Sequence, residues 1–74
     1  MEVSIISPLS GTIKQVIVSE GDAVKAGDTV AILESMKMEI PIDSTADGSV
    51  NKVAVAVGDF AKEGDTLVVV ATAG

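Results

Sequence analysis

The chain has 74 residues, a formal net charge of −6, no histidine, no cysteine and one aromatic residue, Phe60. This inventory excludes imidazole acid–base catalysis, thiolate chemistry, disulfides and the usual histidine/cysteine zinc sites. Five lysines and no arginine leave no basic footprint for nucleic acid and no attraction to an anionic membrane. Neither a signal-like N-terminus nor an apolar run of transmembrane length is present, so a soluble cytoplasmic protein of one domain, residues 1–74, is expected.

The first strand is expected almost immediately after Met1, and Ser7-Pro8-Leu9-Ser10-Gly11 then opens a segment rich in β-branched residues. Ile13, Val16, Ile17 and Val18 are followed by Gly21-Asp22, Val24 by Gly27-Asp28, and Val30 and Ile32 close the segment. The same order returns at an offset of 37 residues. Asp47-Gly48 opens this second segment, Val50, Val53, Val55 and Val57 lead to Gly58-Asp59, and Gly64-Asp65 precedes Val68, Val69 and Val70. Residues 7–34 and 44–71 are therefore two half-repeats with approximate twofold symmetry. Residues 35–43 join them. The apolar runs are short and broken by glycine, which predicts six to eight strands and no substantial helix.

The four Gly-Asp pairs do not follow the acidic spacing of a calcium loop. They fit turns in which glycine supplies a positive φ and the aspartate side chain accepts backbone N–H groups. Gly21, Gly27, Gly58 and Gly64 are the glycines expected to do so.

The joining segment reads Glu34-Ser35-Met36-Lys37-Met38-Glu39-Ile40-Pro41-Ile42. A solvated hairpin tip would account for the lysine but not for two flanking methionines, whose flexible thioethers suit a surface that another protein must grip. Glu34-Ser35-Met36-Lys37-Met38-Glu39 resembles the Glu-Ala-Met-Lys-Met motif of biotinyl domains, in which the lysine receives biotin. Pro8-Leu9-Ser10-Gly11, Glu20-Gly21-Asp22, Gly27-Asp28 and Asp47-Gly48 extend the resemblance across most of the chain. Ser35 departs from the usual alanine. The protruding insertion of many bacterial acetyl-CoA carboxylase carriers is missing between Val16 and Gly21.

The resemblance implies an all-β fold, a flattened barrel or sandwich of two four-stranded antiparallel sheets with internal pseudo-twofold symmetry. It implies covalent biotin on Lys37, presented at the end opposite the termini, with Glu34, Ser35, Met36, Met38 and Glu39 as flanking recognition residues. The partners it implies are a biotin protein ligase and the biotin carboxylase and carboxyltransferase sites of a biotin-dependent carboxylase. In that role the chain is a carrier without catalysis of its own. Two other readings are a lipoyl carrier, whose lysine commonly follows aspartate where Met36 stands, and an unmodified barrel-sandwich adaptor.

Overall fold

The computed structural model describes residues 1–72. Eight strands follow in order: β1 (Glu2–Ile6), β2 (Gly11–Val16), β3 (Ala23–Val24), β4 (Thr29–Ser35), β5 (Met38–Asp43), β6 (Gly48–Val53), β7 (Phe60–Ala61) and β8 (Thr66–Ala71). They form two antiparallel four-stranded sheets, in the orders β1-β8-β6-β3 and β5-β4-β2-β7. The sheets pack as a sandwich and are not joined into a closed barrel. The all-β architecture is thus what the β-branched runs indicated, and the two four-stranded sheets are what the family likeness implied.

The core shows the repeat most directly. Its buried apolar residues fall into pairs at the same offset: Ile5 with Ile42, Ile13 with Val50, Val24 with Ala61, Val30 with Leu67, Ala31 with Val68 and Leu33 with Val70. Each pair contributes one residue to each sheet, so the two inner faces are filled by equivalent positions. Two small polar residues, Ser7 and Ser44, are equally buried. Each hydroxyl donates to the carbonyl two residues on, Leu9 and Ala46, which removes the cost of burying it. The equivalence of Ile5 with Ile42 also shows that the repeat reaches beyond the segments legible in the sequence: β1 is the counterpart of β5.

The halves are interlocked rather than laid side by side. Edge strand β3, from the first half, pairs with β6 of the second; β7, from the second, pairs with β2 of the first. The turn glycines extend the exchange. The Gly21 N–H donates to the Val50 carbonyl and Gly58 N–H to Ile13, while Gly27 donates to Ser44 and Gly64 to Ser7.

All four turns are built alike, and Ser19 to Asp22 illustrates them. The Asp22 N–H donates to the Ser19 carbonyl at 3.0 Å, and the Ser19 N–H donates to the Asp22 carboxylate at 2.9 Å. Gly21, third in the turn, has φ of 93°, and Gly27, Gly58 and Gly64 lie between 90° and 95°. That is the third-position geometry of a type II turn, which a side chain would strain. The expected role of the Gly-Asp pairs holds at every site, since Asp28, Asp59 and Asp65 accept the equivalent N–H groups of Lys25, Ala56 and Lys62.

Two further glycines act through close packing. A Cβ on Gly11 would lie 2.5 Å from the Glu34 carbonyl oxygen, and one on Gly48 would lie 2.1 Å from that of Ala71. Glycine here lets β2 approach β4 closely in the first half, and β6 approach β8 in the second.

Candidate functional site

Strands β4 and β5 form a hairpin in which Leu33 faces Ile40, Glu34 faces Glu39 and Ser35 faces Met38. Only Met36 and Lys37 are left to make the turn. Their φ values are +53° and +65°, the only positive values on non-glycine residues among those described. A two-residue hairpin turn that matches the right-handed strand twist needs positive φ at both positions, which is why Asn-Gly is its favoured pair. Placing methionine and lysine there costs about 1 kcal/mol each. The well-paired strands beneath the turn hold it in place.

The tip projects beyond the core. Leu33 is fully buried, Ser35 half-buried, and Met36 and Lys37 are exposed, Met36 at 92%. Among the described residues the Lys37 ammonium has neither a hydrogen-bond nor an ion-pair partner. The amine is therefore open to an approaching electrophile, and nothing intramolecular has to be broken to use it.

Tracing the chain shows where this tip lies. Gly11 of β2 is beside Glu34, close to the tip, and β2 runs away from it towards Val16. The next strand, β3, then pairs with Gly48 and Ser49 in the other sheet, and Ser49 and Val50 neighbour Ala71 and Val70. There Thr72 donates to the Met1 carbonyl at 2.7 Å, beside the pair Glu2 and Ala71. The tip and the Met1–Thr72 pair thus close equivalent ends of the repeat, at opposite ends of a body 37 Å long and 19 × 18 Å across.

Electrostatics below the tip involve a residue that sequence inspection did not single out. Glu34 and Glu39 face one another across the hairpin, a like-charge pairing that is destabilising by itself. Lys14, projecting from β2, bonds Glu39 at 2.5 Å and lies 3.8 Å from Glu34. Its hydrogen bond to Glu39 raises the Lys14 pKa above the ordinary lysine value, helped by the Glu39 charge; desolvation opposes the rise, and the Glu34 charge adds least to it. The motif signalled both glutamates. The lysine between them depends on β2 and β4 being neighbours, which only the fold reveals.

The structure thus brings Glu34 to Glu39 together on one hairpin and leaves the lysine at its apex. Lys14, Lys25, Lys52 and Lys62 lie elsewhere, on strands or turns of the two halves.

Comparison with known proteins agrees with this geometry. The biotin/lipoyl attachment family, described as that of biotin-requiring enzymes, matches residues 3–70, and the chain belongs to it. It is a biotin carrier domain, and biotin is its cofactor. It is similar to the methylmalonyl-CoA carboxyltransferase 1.3S subunit of Propionibacterium freudenreichii subsp. shermanii, at 58% identity over 38 residues, 51% of this chain and 31% of that one. It is also similar to the mitochondrial methylcrotonoyl-CoA carboxylase subunit alpha of Mus musculus, at 53% identity over 34 residues, 46% of this chain and 5% of the other. Among solved structures, Kluyveromyces lactis urea carboxylase superposes with a TM-score of 0.90 at 32% identity, over 96% of this chain and 6% of that enzyme. The chain therefore spans less than a third of the length of these relatives.

Proposed function

We propose that Lys37 is the residue to which biotin is joined, and that the domain then carries carboxyl groups between two catalytic sites without performing catalysis itself. The observation that carries this reading is the unpartnered Lys37 amine at the apex of a strained, exposed turn in a chain of the biotin-attachment family.

Attachment requires the Lys37 amine in its unprotonated form. Its nitrogen attacks the carboxyl carbon of biotin activated as the adenylate. The new C–N amide bond replaces the acyl–phosphate bond, AMP leaves, and the amine proton passes to a base or to water. The ligase must supply both the activated acid and the base, because the described residues offer no general base bonded to Lys37. When bound, biotin supplies a ureido nitrogen that can take up and release a carboxyl group.

Thereafter the protein provides reach. Lys37 stands at the end of a hairpin on a rigid sandwich, so the tether keeps the cofactor near its partners at high effective concentration. The partners fitting this role are a biotin protein ligase, which the attachment step itself requires, and the biotin carboxylase and carboxyltransferase sites of a larger assembly. The relatives' names, a carboxyltransferase subunit and a carboxylase subunit, support the second. A cytoplasmic setting suits it; among the described residues no helix is long and apolar enough to cross a membrane.

The test is the intact mass of the protein from a host holding both biotin and lipoyl ligases, followed by peptide mapping. One biotin on Lys37, lost in Lys37→Ala with an unchanged melting temperature, is the expected result. A lipoyl adduct, or biotin on another lysine, would overturn the proposal.

A further inference from the structure

The edge strands β3 and β7 occupy equivalent places in the repeat, yet what they expose differs in kind. The turn before β3 carries Glu20 and the strand carries Ala23; the turn before β7 carries Val57 and the strand carries Phe60. Val57 is 64% exposed and Phe60, the only aromatic residue, is 63% exposed. The frame does not need either side chain, because glutamate and alanine occupy the same backbone positions on the other side. Two large apolar groups left in water on one side only call for an external partner.

Their position says which one. Phe60 faces Thr12, Thr12 faces Glu34, and Glu34 faces Glu39. Directly opposed residues of antiparallel strands share a face, so these four form one outward row across the sheet. At roughly 4.8 Å per strand the row is about 14 Å wide. Lys37 projects just past its Glu34–Glu39 end. A protein surface that reaches the Lys37 amine from this face of the sheet meets the row.

We propose that Val57 and Phe60 form a second contact by which the biotin-attaching ligase holds the domain while Lys37 is modified; this rests on Lys37 being the attachment residue. The ligase contributes an apolar cleft for the Phe60 ring, bordered by basic groups that meet the Glu34 and Glu39 carboxylates, which outnumber the single Lys14 ammonium beside them. The same acidity, within a net charge of −6, opposes a second copy of the chain as the occupant.

The experiment is steady-state biotinylation of the full chain by a purified biotin protein ligase at varied carrier concentration. The double variant Val57→Glu/Phe60→Ala installs in the turn before β7 and on β7 the residues that the turn before β3 and β3 already carry, so the backbone tolerates them. It should raise KM about tenfold, the loss of an ordinary interface anchor, with kcat within about twofold of wild type. Phe60→Tyr should keep most of the wild-type KM, and the mirrored Glu20→Val/Ala23→Phe variant should leave it unchanged. An unaltered KM in the folded double variant overturns the proposal. So does concentration-dependent dimerisation of the wild type that the double variant abolishes, which would assign the patch to a second copy. Failure of the underlying reading is separately visible: wild-type chain would then take no biotin on Lys37.

Discussion

Five tight turns among the described residues need positive φ, and they meet the need in two ways. Four are Gly-Asp turns, in which glycine adopts the angle freely and aspartate ties the turn to its first residue. The fifth is the hairpin tip, where Met36 and Lys37 adopt it without any such help. The frame is thus locally consistent with its sequence, and the tip is not. Departures of this sort are expected where function rather than folding selects the residue. The tip tolerates them because β4 and β5 pair in register up to Ser35 and Met38.

The largest effect expected from breaking the frame lies at a glycine with ordinary backbone angles. Gly48→Ala would drive a methyl group against the Ala71 carbonyl, and the two strands cannot both stay in place. A loss of about 3 kcal/mol, read from urea unfolding, is expected, a large share of a small domain's stability. Gly58→Val tests the turns themselves. Nothing lies within 4 Å of its Cβ position, so any cost is conformational, about 1–2 kcal/mol. If Gly58→Val proved as harmful as Gly48→Ala, the separation of turn strain from steric contact would be wrong.

The smallest change should run the other way. Met36→Asn places at the tip a residue that accepts positive φ, and should stabilise the domain by about 0.5–1 kcal/mol. Biotinylation of this variant should slow all the same, because a polar amide replaces an apolar grip. A variant both more stable and equally well modified would show the methionine to be incidental.

Much of this was legible in the sequence for a physical reason. Core positions, turn glycines and turn aspartates each answer a local demand, so the repeat preserved them in recognisable form. Ile13 and Val50 had to fill equivalent space, and Gly21 and Gly58 had to adopt the same angle. The relation of β1 to β5 was harder to see, because their outward residues answer to nothing equivalent: Ser4 stands against Pro41, and Ile6 against Asp43. Gly11 and Gly48 read as openings of their segments, while their close approach to Glu34 and Ala71 depends on contacts far apart in sequence. Lys14 was invisible as part of the site for the same reason. So was the exposure of Phe60, which in a chain with no other aromatic residue could equally have been the centre of the core.

The interlocking of the halves has a consequence for what one half could be alone. Cut off by itself, the first half would keep Gly21 and Gly27 but lose the carbonyls of Val50 and Ser44 that their N–H groups use, and β3 would lose its partner β6. Another copy of that half could supply the equivalent groups, Ile13 and Ser7, because these are the acceptors of Gly58 and Gly64. A half-length chain is therefore expected to fold only as the protomer of a twofold homodimer, which its mass in solution at varied concentration would check. Joining two such chains head to tail turns a concentration-dependent assembly into a single-molecule fold, and frees the exposed Met36–Lys37 tip of the joint to diverge without disturbing the core.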